Sequence, residues 1–260
     1  MIRIIVILLL ILLILQYNVI YGTIVAAFRC KDGIVVGSDG INVNKKGGSY
    51  INSRSSDRMI EICDGCIICS VDVEGNSLFS LLCNDIRKEI RKNLFFRSNR
   101  YSNKPKSLPA HSIAKLARQL IHDKYHKAHV IVAGWDNVYN SESKKVNNND
   151  DDNKSKIIYS VHEILPGGSM IEGDYIVSGS GSESAVSLIQ EVFSQENEQD
   201  YSSNNVKQSK YFLYPISVAI NKVMNILQKV RNNHLTCGGR IQILSLKYDE
   251  SLQNFDIKKI

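Results

Sequence analysis

"GTIVAAFRCKDGIVVGSDG", Gly22 to Gly40, decides the reading of the fold. Two strand-like runs, Thr23–Arg29 and Gly33–Ser38, flank a turn at Lys31-Asp32-Gly33. β-Branched and aromatic residues fill the runs and Asp-Gly supplies the turn, so the chain is expected to open with a β-hairpin. Immediately before it stands a greasy leader. Arg3 precedes an unbroken apolar run from Ile4 to Leu15, followed by the polar Gln16, Tyr17 and Asn18. Twelve residues are short for a bilayer span, which needs about 20. The pattern fits a secretory signal, with small Gly22 at its cleavage point and the bulkier Ile20 a poorer match. The Gly22–Thr23 bond is therefore either a loop peptide or a processing junction. Residues 1–22 read as a leader, as a propeptide, or as a misassigned start.

Outward from the hairpin, a second one is expected at Met59–Cys63 and Cys66–Val71, turned by Asp64-Gly65. Leu78, Leu81, Leu82, Ile86 and Ile90 recur at helical steps across Ser77–Asn93, and a further helix covers Ser112–Tyr125. Strands follow at Ala128–Ala133, Lys156–His162 and Asp174–Val177, helices at Glu183–Ser194 and Phe212–Val230, and a closing strand at Arg240–Tyr248. Two low-complexity polar inserts, about 140–156 and 194–210, read as solvated loops without chemistry. The order of strands, two helices, strands, two helices and strand predicts an α+β fold. Its expected form is two sheets between two helical layers, a four-layer αββα sandwich over residues 23–260.

Composition narrows function mainly by exclusion. The 260 residues are 43% hydrophobic and 22% charged, with a net charge of +6. Lys and Arg are scattered among acidic residues, which argues against nucleic acid as a partner. Cys63, Cys66 and Cys69 have iron–sulfur spacing, but position 73, where a fourth ligand would stand, is Val73. Small buried hydrophobes are the better reading for these cysteines, and a disulfide framework does not suit a chain with so much core. His122 and His126 are one helical turn apart with His129 nearby, yet no carboxylate or cysteine completes a metal set. "HEILP" at His162 lacks the second histidine of a zinc-protease motif, and no phosphate-binding loop is visible.

Six stretches carry a resemblance to a known family. They are "GTIVAAFRCKDGIVVGSDG", "GGSYINSRSSDRM" (Gly47–Met59), "VIVAGWD" (Val130–Asp136), "IYSVHEILPGGSM" (Ile158–Met170), "SGSGS" (Ser178–Ser182) and "CGGRIQI" (Cys237–Ile243). In this order they resemble the β subunits of the 20S proteasome core, which are N-terminal nucleophile hydrolases. "GSYI-x-x-R-x-x-D-R" and "AGWD" are most similar to the caspase-like type. The resemblance implies the αββα sandwich, neighbouring α and β subunits in stacked heptameric rings, and unfolded polypeptide substrates. It also implies threonine-type peptide hydrolysis without a cofactor or metal, in cytoplasm and nucleus, with no membrane attachment.

It further implies roles for single residues. Cleavage of Gly22–Thr23 would make the Thr23 hydroxyl a nucleophile and its new α-amine, with an unperturbed pKa of about 8, a general base. On residue type alone, Thr23 is an ordinary strand threonine. Asp39 matches the aspartate near the threonine, and Ser180 the serine near the terminal amine; their ordinary readings are a turn aspartate and a Gly/Ser turn. Other positions depart from the pattern. Arg58 stands where the family has lysine; it keeps the charge but cannot give up a proton. Asp72 stands at the glycine whose N–H faces the oxyanion, where a carboxylate opposes developing negative charge. Ser70 replaces the arginine that selects acidic substrates, and His234 and Cys237 replace an aspartate and a serine. Two alternatives follow: a non-catalytic ring subunit with an impaired site, or a secreted or membrane-targeted relative.

Overall fold

The opening hairpin forms as its residue types dictate. In the computed structural model, β1 (Ile24–Cys30) pairs antiparallel with β2 (Gly33–Ser38), with Cys30 opposite Gly33 and Val25 opposite Ser38. The structure describes residues 23–40, 42–44, 50–53, 58–71, 76–98, 108–137, 157–194, 214–233, 237–249 and 254–260. Among these, the further strands are β3 (Asn42–Asn44), β4 (Tyr50–Ser53), β5 (Met59–Cys63), β6 (Cys66–Ser70), β7 (Val130–Asn137), β8 (Ile157–Ile164), β9 (Met170–Gly173), β10 (Tyr175–Gly179), β11 (Gln242–Asp249) and β12 (Asn254–Lys259). The helices are α1 (Asn76–Ser98), α2 (Ala110–Asp123), α3 (Ser182–Ser194) and α4 (Ile216–Asn233). One sheet has the order β10-β1-β2-β11-β12 and another β5-β6-β7-β8-β9, while β3 and β4 form a small ribbon. Neighbours in both large sheets are antiparallel. The fold is α+β.

Side-chain alternation explains why the opening strands are apolar almost throughout. Ile24, Ala26 and Phe28 pack with Ala185 and Ile189 of α3 and Val223 and Leu227 of α4. The intervening Val25 and Ala27 join Ile67, Cys69, Ile131 and Val161 of the other large sheet. The outer face of that second sheet, including Ile68, Val130, Val132 and Ile164, packs with Leu82 and Ile86 of α1 and Ile113 and Ile121 of α2. A strand covered on both faces has no solvent side on which to place polar residues. Each fully buried isoleucine in these layers contributes about 1.5–3 kcal/mol.

The same parity disposes of the cysteine cluster. Cys66 faces α1 and α2 with Ile68, whereas Cys69 faces the other sheet with Ile67. Residues three apart in a strand point to opposite faces, so these two thiols cannot grip one cluster. Burial pushes both thiols up, away from the thiolate form a metal needs. The Asp64-Gly65 turn is where it was expected, with Gly65 at φ +74°, a conformation glycine adopts without a Cβ penalty.

Several boundaries differ from the sequence expectation. β7 runs on through Gly134, Trp135 and Asp136, because Gly134 is held between Cys66 on one side and Ser160 on the other. Trp135 stacks on Phe255, with ring centroids 5.5 Å apart. That contact helps seat β12, an edge strand the sequence reading did not include. α1 continues to Ser98, and β9 adds an edge beyond β8. The leader at 1–22 and the polar stretches 140–156 and 195–210 lie outside the described residues; Ser194 closes α3. Among the described residues, no helix is long and apolar enough to cross a membrane.

Candidate active site

Hairpin geometry builds the centre of the site. Thr23 precedes β1 and Asp39 follows β2, so antiparallel pairing brings together residues sixteen positions apart. The Thr23 hydroxyl donates to Asp39 Oδ1 at 2.7 Å, and the Ile24 N–H donates to the same oxygen at 3.1 Å. The Asp39 N–H returns a bond to the Ile24 carbonyl at 3.1 Å. Asp39 Oδ2 accepts the Gly238 N–H at 2.9 Å, from the segment leading into β11. Thr23 and Asp39 are each only 1% exposed. A buried carboxylate with three donors is a rigid acceptor that fixes the hydroxyl's position.

β10 closes the other side. Gly179 lies opposite Ile24, and the next residue, Ser180, donates its N–H to the Thr23 carbonyl at 2.9 Å. The Ser180 hydroxyl lies 3.4 Å from that carbonyl oxygen and 3.7 Å from the Cys237 sulfur. Arg58 is buried just before β5, and its carbonyl accepts the Ser70 N–H at 2.8 Å. Its positive charge is close enough to favour the ionised form of Asp39. The structure therefore gathers Thr23, Asp39, Arg58, Ser180 and Cys237, with Ser70 beside Arg58. Gly22, Asp72 and His234 lie outside the described residues.

Burial raises the Asp39 pKa above the ordinary aspartate value. Bonds from Gly238, Thr23 and Ile24 and the charge of Arg58 oppose that rise without cancelling it. The sign of the consequence is definite. A carboxyl whose folded pKa is raised contributes stability that is full below its unfolded value of about 3.9 and is lost as pH rises through the folded value. Wild-type protein should therefore lose stability relative to Asp39→Asn as pH climbs from about 3 to 7. Urea denaturation of both proteins across that range checks this. A flat difference, or one with the opposite slope, contradicts it.

Sequence reading missed the Gly238 N–H. "CGGR" was quoted as a motif, but nothing local says that its second residue reaches a carboxylate 199 positions away. It also missed a polar cluster between the sheets, where His129 Nε2 lies 2.8 Å from Glu163 Oε1 and 3.3 Å from Ser178 Oγ. Burial raises the Glu163 pKa, but its bonds with His129 and Ser178 outweigh that, and the net direction is down. Serine, histidine and glutamate invite comparison with a hydrolytic triad. Here serine and acid address the same ring nitrogen, whereas a triad needs them on opposite nitrogens. His122 instead lies 3.3 Å from the Gly167 carbonyl, so the helical histidine spacing does not assemble a metal site with His129.

Chemically, the centre offers an oriented hydroxyl whose side-chain partner is a carboxylate. Among the described residues, no histidine bonds to Thr23, and the one titratable side chain that accepts its hydroxyl proton is Asp39. No protein-family model matches the sequence, and a search of curated proteins found no match.

Proposed function

We propose that this chain is a β subunit of a 20S proteasome core, with the four-layer αββα sandwich of the N-terminal nucleophile hydrolases and Thr23 as its nucleophile. The observation that carries this reading is the Thr23–Asp39 contact at the shared end of β1, β2 and β10. A buried hydroxyl needs a partner, and here that partner is a buried carboxylate that two backbone N–H groups also hold, which supports a hydroxyl fixed in one position. The layering of two helical pairs around two sheets supports the same reading.

The reaction then runs through the chain's own groups. Cleavage of Gly22–Thr23 with one water releases the Thr23 amine. Thr23 Oγ1 attacks the substrate carbonyl, its proton passes to that amine, and the amine hands it to the leaving nitrogen as the peptide C–N bond breaks. An acyl ester on Thr23 remains, and water hydrolyses it, restoring the hydroxyl. Asp39 orients the hydroxyl, and Arg58 supplies positive charge. Unfolded polypeptides are the substrates, α and β subunits in heptameric rings the partners, and cytoplasm and nucleus the location.

A second reading, a ring member without catalysis, is favoured by one feature: buried Arg58 occupies the lysine position of the resembled family. Mass spectrometry of the N-terminus in the native assembly, paired with a peptide-hydrolysis assay, separates the two. The active reading expects chains beginning at Thr23 together with hydrolysis dependent on this subunit. Thr23 termini without such hydrolysis would leave the ring-member reading standing. A mature chain beginning anywhere else would remove Thr23 as an N-terminal nucleophile.

A further inference from the structure

His162, in β8, lies directly opposite Glu172 in β9, so both project from the same sheet face. It shares that face with Ile164, which packs beneath α1 and α2. The second residue of α2, His111, reaches the same place; its ring centroid is 5.3 Å from that of His162. One donor atom from each of His111, His162 and Glu172 lies within 4.8 Å of the other two. His162 is completely buried, while His111 is partly exposed and Glu172 exposed.

The hydrogen bonds around His162 fix which nitrogen is available. The Ser160 hydroxyl donates its one proton to Asp136 Oδ2. Its oxygen can therefore only accept from His162 Nε2, 3.1 Å away, so Nε2 carries the ring proton. Nδ1 is left as a bare lone pair, buried, with no hydrogen-bond partner among the described residues. A buried acceptor without a partner requires an explanation, and a cation supplies one. Asp136 also accepts the His111 backbone N–H at 3.2 Å, so one carboxylate orients both histidine-bearing segments. A carboxylate behind a histidine, here relayed by Ser160, is the arrangement that fixes the tautomer of metal-binding imidazoles.

We infer that His162 Nδ1, His111 and Glu172 form a zinc site that ties the start of α2 to the β8–β9 edge. Two imidazoles and one carboxylate suit zinc with a water in the fourth position, whereas magnesium and calcium prefer all-oxygen sets. At metal–ligand distances of about 2.0–2.2 Å the donors must close in from their present spacing. Glu172 and His111, at the surface, have the freedom to do so while His162 stays fixed. The site belongs to the sheet opposite the one carrying Thr23, on its helix-covered face, and stands whether or not Thr23 is a nucleophile.

The test uses the full chain, stripped with a chelator, reloaded with zinc and titrated against a chromogenic competitor. One equivalent should bind, and cobalt in its place should show tetrahedral visible absorption. Glu172→Gln and His111→Ala, which spare the core, should each weaken binding at least tenfold, and Ser160→Ala about 10–100-fold through loss of orientation. His126→Ala, on an exposed residue outside the set, should bind as wild type. Failure to bind one equivalent overturns the proposal, as does one equivalent bound with undiminished affinity in both Glu172→Gln and His111→Ala.

Discussion

Thr23→Ala should abolish the hydrolysis this subunit contributes and, if the Thr23 hydroxyl itself attacks the Gly22 carbonyl as the proposed function implies, leave the Gly22–Thr23 bond uncut, while Thr23→Ser should keep both hydrolysis and cleavage. The alanine variant retains the β1 backbone, so the Ile24 and Gly238 donors still hold Asp39, but its carboxylate loses the 2.7 Å hydroxyl bond. That loss costs about 1–3 kcal/mol of stability, too little to unfold a domain of ordinary stability. The loss in rate is of another order. Removing a nucleophile that acts in concert with its base costs up to about 10⁶-fold in turnover. Serine offers the same oxygen at the same position and lacks only the γ-methyl. The measurements are peptide hydrolysis by assemblies differing only at this residue and the mass of the mature chain. Undiminished hydrolysis in Thr23→Ala, with Thr23→Ser no different, would remove the nucleophile assignment. A processed N-terminus in Thr23→Ala would instead show that another agent cuts the junction.

The contrast between these readouts reflects what the sequence could and could not say. The hairpin was legible, because a strand pair joined by a tight turn must bring the segments at its open end together. Its register sets Val25 opposite Ser38, so Asp39 falls beside Ile24, and the contact of its carboxylate with the Thr23 hydroxyl was implied by resemblance and not by the pairing. The roles given to Arg58 and Ser180 came from resemblance, since no local pattern marks a buried arginine or a serine after glycine. Gly238 was hidden because a backbone N–H has no residue-type signature, and its partner lies far away in the chain. His162 shows another limit. In "HEILP" it and Glu163 read as one motif, but strand parity sends His162 toward α2 and Glu163 toward His129. Strands β9 and β12 escaped because each is short and lies on an edge. β12 does alternate, with Phe255 and Ile257 sheltered between exposed neighbours, but over only six residues.

Gly179→Ala should destabilise the protein by about 3–5 kcal/mol and cut hydrolysis before it unfolds the chain, for reasons that can be separated. Gly179 sits at φ +110°, where a side chain is strained whatever the space around it. The added Cβ would also lie 2.1 Å from the Thr23 carbonyl oxygen, 2.8 Å from its carbon and 3.2 Å from Ile24 Cα. These are backbone atoms, so relief requires moving β10 away from β1. Such a shift would displace the Ser180 N–H that holds the Thr23 carbonyl. A misplacement of about 1 Å at a reacting group is enough for a 100-fold loss in rate. Gly167 provides the comparison, with φ +82° and nothing within 4 Å of an added Cβ. Gly167→Ala meets conformational strain alone, about 1–2 kcal/mol, far from Thr23 in the turn between β8 and β9. Urea denaturation of both variants, beside the hydrolysis assay, measures the difference. If Gly179→Ala proves no worse than Gly167→Ala in stability and rate, β10 does not press on Thr23, and the site is not held from that side.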